Sequence, residues 1–169
     1  MFTIAQLRER KVIVAWETRG DGLPLRCFYY TAQWSKDIRV LTPERTLKSL
    51  TPDLSLAGRV AGLVDDFVLG RPPAALIRAV GYGMDPPFKR MWPPRHAVVE
   101  MRTEGTRSFG FFAGQDVFVA HRLIAKKDLA DQPKLYATIG DEVLTTFIAL
   151  VAPTDVDRVS DVTDLITGA

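Results

Sequence analysis

The side chains of this chain that are best suited to chemistry are cations, and eight of them lie between positions 89 and 127. Because alternate residues of a β-strand face the same side, we expect Arg102 close to Arg107 across a turn, with His121 and residues 124–127 at the end of the next strand. Cations gathered on one open face are costly unless they meet an anion. The pattern predicts a phosphate-binding surface, although the same side chains would also keep a sheet edge soluble. The eight are Lys89, Arg90, Arg95, Arg102, Arg107, Arg122, Lys126 and Lys127.

A surface of this kind has the parts needed to cleave RNA without a metal ion. The reaction requires a group that deprotonates the 2′-hydroxyl, cations that stabilise the crowded phosphorane, and an acid for the leaving 5′-oxygen. Lysines that lie beside other cations have lowered pKa values and can act as the base or the acid.

Other common catalytic and metal-binding patterns are missing from the sequence. It has no Walker loop, no strand-linked glycine motif for a dinucleotide, and no G-x-S-x-G motif. Two histidines, His96 and His121, and one cysteine, Cys27, are too few for a histidine- or cysteine-based metal site, and an internal disulfide is impossible. We therefore expect no metal and no cofactor, and we expect Cys27 to be a buried core residue.

Length and composition favour a single domain. A chain of 169 residues with 47% hydrophobic content can bury one substantial core. The N-terminal sequence carries charges where a secretory signal is apolar, and no stretch approaches the roughly 20 apolar residues of a membrane helix, so we expect a cytoplasmic protein. Residues 71–127 hold ten basic and four acidic groups, and residues 128–169 hold two and eight. The basic segment would then be a phosphate-binding face, and the acidic segment would repel or partly shield the same ligand; alternatively, both segments are simply solvated faces.

The elements that would position these residues begin with a hairpin and a helix. Residues 11–18 and 25–31 are rich in β-branched and aromatic residues on either side of turn residues 19–22. Thr51-Pro52-Asp53 is typical of a helix start, and apolar residues recur at helical spacing from there to Phe67. Residues 71–95 hold six of the eleven prolines, which predicts a long surface connection with one short helix over 75–80.

Three short runs of alternating polarity then predict an antiparallel meander, over residues 97–102, 107–112 and 117–124. Apolar residues at helical spacing from Leu135 to Leu150 predict a helix, and a weaker pattern after Thr154 predicts a last one. The order predicts an α+β fold. Its antiparallel β-sheet would comprise the N-terminal hairpin and the C-terminal three-stranded meander, with helices packed on one face and the other face open to a ligand.

The run from residue 88 to residue 133 resembles RelE/HigB-type toxins, especially their phage-derived branch. In that family a basic residue precedes a turn, one strand carries Glu-Leu-Arg, the next has an arginine followed by aromatics, and the third leads to His-x-Phe-x-Lys-Lys. The counterparts here are Lys89 or Arg90; Glu100-Met101-Arg102; Arg107 with Phe109, Phe111 and Phe112; and His121, Leu123, Lys126 and Lys127. The similarity extends loosely over residues 52–150 of the single domain 1–169. It leaves residues 1–45 as an N-terminal hairpin extension and 154–169 as an acidic C-terminal tail.

The resemblance implies a RelE-like fold and a ribosome-dependent mRNA endonuclease of a type II toxin-antitoxin system, in which basic residues cleave RNA without a metal. The implied partners are mRNA on the ribosome and a cognate antitoxin protein, with homo-oligomer formation left open. By position, Arg102 and Arg107 would stabilise the scissile phosphate, Lys126 and Lys127 would add charge or transfer protons, and His121 and Tyr136 are further acid or base candidates. The residues that would bind the RNA backbone are Lys89, Arg90, Arg95 and Arg122.

Two other functions fit the same scaffold, because residues 135–150 are acidic and apolar where the family usually has lysines. One is a non-enzymatic, phage-derived protein-interaction module that uses the open sheet face and the aromatics near Trp92. The other is an RNA-binding module without catalysis, in which Phe109, Phe111 or Phe112 stacks on bases.

Overall fold

A computed structural model of the chain describes residues 2–18, 22–41, 55–71, 88–91, 95, 97–151 and 162–167. The strands are β1 (Ile13–Ala15), β2 (Cys27–Thr31), β3 (Phe88–Arg90), β4 (Val99–Thr103), β5 (Thr106–Gly114) and β6 (Val117–Ala125). The helices are α1 (Ile4–Glu9), α2 (Ala32–Val40), α3 (Leu56–Val68), α4 (Lys126–Asp131), α5 (Pro133–Leu150) and a 3-10 helix (Val162–Leu165).

All six strands form one mostly antiparallel sheet in the order β1-β2-β6-β5-β4-β3. The predicted hairpin is confirmed, since β1 pairs antiparallel with β2, and so is the meander of β4, β5 and β6. The sequence did not predict that β2 pairs parallel with β6, which joins the hairpin to the meander, or that β3 extends the other edge. The fold is therefore α+β, with the hairpin inside the sheet that carries the candidate residues.

Helices cover both faces of this sheet, so the expectation that they pack on one face and leave the other open does not hold. On one side, which we call the α3 face, β-strand residues such as Met101 and Phe118 pack with α2, α3 and the 3-10 helix. On the other side, the α5 face, Phe109 and Phe111 pack with α1 and α5. Both clusters consist of residues with almost no solvent exposure.

The two longest helices lie where the periodicity predicts them, over 56–68 and 133–150. The cap of α3 differs, because the side chain of Ser55 accepts from the amide of Gly58; the predicted cap at residues 51–53 lies outside the described residues. The predicted helices over 75–80 and after Thr154 also fall largely outside them, although Val162, Leu165 and Ile166 are buried on the α3 face. Among the described helices, none is both long and apolar enough to cross a membrane.

Close strand packing explains one glycine in β5. A Cβ at Gly110 would lie 2.1 Å from the carbonyl oxygen of Val119 and 2.9 Å from the Cα of Ala120. The pairing register shifts at the same place, where Phe109 pairs with Arg122 and Gly110 pairs with Ala120, so that His121 has no register partner. This β-bulge turns one extra residue of β6 out of the regular alternation.

Candidate phosphate-binding site

The predicted proximity of Arg102 and Arg107 is confirmed, and both bind a buried carboxylate. The two are register partners across β4 and β5, and they share the α5 face with Glu100. Their Nε atoms lie 2.9 and 2.7 Å from the same oxygen, Oε1 of Glu100, whose side chain is 3% exposed. The hydroxyl of Tyr136 donates to the other oxygen, Oε2, at 2.7 Å. We call Glu100, Arg102, Arg107 and Tyr136 the arginine cluster.

Partial burial shifts the pKa values of Tyr136 and Arg107 in this cluster. Burial raises the pKa of the Tyr136 phenol, and its hydrogen bond to Glu100 raises the pKa further, so the hydroxyl stays protonated near neutral pH. Burial lowers the pKa of the Arg107 guanidinium, while the charge of Glu100 opposes that change. Two guanidinium groups thus share one carboxylate, and each arginine side chain is 17% exposed, so part of it reaches the surface.

The two predicted lysines start α4 beside the same end of the sheet. The amide of Lys126 donates to the carbonyl of Gly105, in the turn between β4 and β5, at 2.8 Å. Thr106, next to Arg107, pairs with Ala125, next to Lys126. The side chains of Lys126 and Lys127 are exposed. The structure therefore brings four of the five predicted catalytic residues, Arg102, Arg107, Lys126 and Lys127, to one corner of the sheet.

The fifth, His121, is held elsewhere by groups of other elements. Its Nδ1 lies 3.0 Å from Oγ1 of Thr31, and its Nε2 lies 3.2 Å from Oγ1 of Thr146 and 3.3 Å from Oε1 of Glu142. Burial lowers the pKa of the imidazole, and Glu142 acts in the opposite direction. Both ring nitrogens are thus engaged within the protein.

The predicted RNA-backbone residues are spread over both faces. Lys89 is exposed and pairs in register with Glu100, so it shares the α5 face, whereas Arg90 lies on the α3 face. Arg95 binds Asp141 of α5 at 2.7 Å. Arg122 binds Asp37 of α2 at 2.9 Å and Glu142 of α5 at 2.5 Å. Acidic residues of two helices therefore neutralise part of the cationic surface.

The burial of three phenylalanines and of one cysteine differs from what the sequence predicts. Phe109, Phe111 and Phe112 are at most 2% exposed, so none of them is available to stack on a base. Cys27 is exposed at the start of β2, so the prediction that it is a core residue is wrong. In the described part of the chain no group of three or more His, Cys, Asp or Glu side chains is arranged to hold a metal ion. His96 and Trp92 lie outside the described residues.

The sequence reasoning missed the carboxylates that hold the cations. Glu100 stands out in the sequence only as part of a motif, although it alternates with Arg102 and must therefore share its face. Asp37 and Glu142 lie 85 and 20 residues from Arg122 along the chain. No local pattern signals such pairs.

Comparison with known proteins adds no relative: no protein-family model, no curated protein and no solved structure matches this chain.

Proposed function

We propose that this chain is a cytoplasmic RNA-binding protein on a RelE/HigB-like scaffold, which binds the phosphate backbone at the corner formed by the arginine cluster and the start of α4. The observation that carries the proposal is the cross-strand pair Arg102–Arg107 with Lys126 and Lys127 beside it. Guanidinium groups match the geometry of a phosphate. Lysines add positive charge that neutralises further phosphates, and the counterions released from the RNA favour binding.

The order of the elements supports the same scaffold. Glu100-Met101-Arg102 lies on β4, Arg107 with its aromatics lies on β5, and His121 precedes the two lysines at the junction of β6 and α4. A helix precedes this meander, and helices α4 and α5 follow it. The partners that the resemblance suggests, mRNA on the ribosome and an antitoxin protein, belong to this proposal.

Binding without cleavage fits the contacts better than catalysis does. The two arginines already share Glu100, and the imidazole of His121 is occupied by Thr31 and Glu142. A protein–RNA contact needs only accessible positive charge, whereas cleavage also needs a base and an acid at the phosphate.

Salt-dependent RNA binding tests the proposal. A fluorescein-labelled single-stranded RNA, titrated by fluorescence anisotropy from low to moderate salt, should bind the wild type with an affinity that falls as salt rises. The variant Lys126→Ala/Lys127→Ala removes two exposed charges. It should make the slope of log affinity against log salt shallower by about 1.4, since each phosphate contact on a single strand contributes ~0.7 to the slope.

The matched control is Lys36→Ala, which removes an exposed lysine from α2 and should leave the slope unchanged. Arg102→Lys, which keeps the charge but loses the planar guanidinium, should weaken binding about tenfold. RNA binding that does not depend on salt, or that survives the double lysine substitution unaltered, would falsify the proposal.

A ribosome-dependent endonuclease toxin is the second candidate, and the two cross-strand arginines beside two lysines favour it, because positive charges stabilise the phosphorane of RNA cleavage. In such a reaction one of the two lysines takes the proton of the 2′-hydroxyl, whose oxygen forms a bond to phosphorus. The bond from phosphorus to the 5′-oxygen breaks, and the other lysine gives a proton to that leaving oxygen. Expression should then arrest growth, and messenger RNA on ribosomes should be cleaved even with a chelator present. Arg102→Ala/Lys126→Ala should abolish both effects. Intact RNA together with normal growth would favour binding alone.

A further inference from the structure

Glu100 lies beneath the two arginines and fixes their relative position. It is more deeply buried than either partner, at 3% exposure against 17% for Arg102 and 17% for Arg107. The Nε–H of Arg102 donates to Oε1 of Glu100, and the Nε of Arg107 forms an ion pair with the same oxygen at 2.7 Å. Because both guanidinium groups bind the same atom, they are held side by side at one spacing.

We infer that Glu100 and Tyr136 are positioning residues, which hold Arg102 and Arg107 as one receptor for a single RNA phosphate. The inference rests on the proposed RNA binding. A carboxylate with two oxygens is free to rotate unless both are bound, and here Tyr136 binds Oε2 while the arginines bind Oε1. The phenol ring packs edge-on against the buried Phe109, with centroids 5.5 Å apart, which fixes the hydroxyl in turn.

The backbone of the β4–β5 turn holds Arg107 from a second side. Its Nη1 donates to the carbonyl of Thr103 at 3.0 Å and to that of Thr106 at 2.7 Å. A guanidinium fixed by two hydrogen bonds and an ion pair loses little further freedom when it meets a ligand, so more of the interaction energy appears as affinity. This is the physical advantage of placing a buried acid under two cations that bind an anion.

Removing only the Tyr136 hydroxyl tests the inference, because Tyr136→Phe keeps the ring, the helix and the charge. Releasing one oxygen of Glu100 should weaken binding of the labelled RNA about fivefold, the equivalent of one net hydrogen bond. The salt slope should stay at the wild-type value, because no phosphate contact is removed. Tyr30→Phe is the matched control, since Tyr30 is half-buried against the α3 face, and it should bind RNA as the wild type does.

Exchange of the arginine Nε protons, followed by nuclear magnetic resonance on the free protein, reports the positioning itself. The Nε proton of Arg102, which Glu100 accepts, should exchange slowly in the wild type and in Tyr30→Phe, and faster in Tyr136→Phe. If the wild type binds RNA but Tyr136→Phe binds equally well, or its Arg102 Nε proton exchanges no faster, the positioning inference is wrong and the RNA-binding proposal stands. If the wild type binds no RNA, both are wrong.

Discussion

The imidazole of His121 shows how one side chain acquires a structural role from its position in a bulge. The bulge directs it between Thr31 and Thr146, with Glu142 beside its Nε2. The charged groups around it are Glu142 of α5, Arg122 of its own strand and Asp37 of α2. Burial outweighs the two acids and lowers the pKa of the imidazole, so the folded protein favours neutral His121.

The lowered pKa of His121 predicts a loss of stability in mild acid. An unfolded histidine binds a proton near pH 6.5, whereas the folded one binds it only at lower pH. The unfolded state therefore binds more protons below about pH 6.5, and the free energy of unfolding should fall as the pH falls from there through the lowered pKa. Urea unfolding at a series of pH values from 7.5 downward measures this decline.

Replacing the histidine isolates its part of that decline. His121→Gln should show a smaller loss of unfolding free energy between pH 7.5 and mild acid than the wild type does. Thr146→Val keeps the imidazole and should keep the decline. Equal pH dependence in the wild type and His121→Gln would show that this histidine does not titrate differently on folding.

Residue-scale prediction succeeded where strand alternation decides the outcome. It predicted that Arg102 lies close to Arg107, because alternate side chains of a strand share one face. It could not show that Phe109 and Phe111 are covered, since that depends on where α5 packs. Nor could it find Asp37 as the partner of Arg122, because only the folded chain brings the two together.

At the scale of elements, α2 contacts the edge of β6 beyond the point where β2 ends. Tyr30 of β2 pairs with Ala120, and beyond that point no described strand pairs with β6 on this side. Asp37 instead accepts the amide of Leu123 at 2.9 Å and binds Arg122 through the same oxygen. The carboxylate of Asp37 thus accepts a backbone amide at the edge of the sheet that no strand pairs with in the described chain.

Removing that carboxylate should destabilise the fold. Asp37→Ala leaves the Leu123 amide and Arg122 with one acceptor fewer, and it should lower the free energy of unfolding by about 2 kcal/mol. Asp37→Asn keeps an oxygen for the amide and should cost about half as much. Lys36→Ala, a neighbouring exposed position, should change stability by less than about 0.5 kcal/mol. Urea unfolding at pH 7.5 compares all three, and equal stability of Asp37→Ala and wild type would contradict this role.

Elements with their own periodic apolar stripe were predicted, and elements defined by their neighbours were not. The stripes of α3 and α5 are buried along one side, as the spacing indicates. By contrast, α2 buries fully only Trp34, so its sequence resembles a polar loop. Parallel pairing of β2 with β6 joins residues about 90 positions apart, such as Phe28 and Phe118, and no short pattern encodes it.

For the whole molecule, the basic corner and the described part of the acidic tail lie far apart. Val162, Leu165 and Ile166 pack on the α3 face, whereas the arginine cluster is on the α5 face. Asp116 accepts the Thr167 amide at 2.8 Å and the Thr167 hydroxyl at 2.6 Å, and it lies in the turn between β5 and β6. That turn and the β4–β5 turn are at opposite ends of β5, whose nine residues span on the order of 30 Å. Charges this far apart are screened at physiological salt.

This separation predicts that stability and RNA binding can be changed independently. Asp116 holds the buried Arg26 at 3.2 Å as well as Thr167, and its φ of 60° is one that alanine adopts poorly. Asp116→Ala should therefore lower the free energy of unfolding by about 3 kcal/mol. Asp116→Asn, which tolerates positive φ and keeps an oxygen acceptor, should cost less.

Neither substitution should change the RNA dissociation constant by more than about twofold while the protein is folded, because the altered group lies beyond the reach of screened charge. Tyr136→Phe should show the opposite pattern, with weaker RNA binding and a smaller loss of stability. Urea unfolding and anisotropy titration on the same preparations measure both quantities. If Asp116→Asn alters RNA affinity as strongly as Arg102→Lys does, the C-terminal segment contributes to the binding surface, and the two ends of the sheet are not independent.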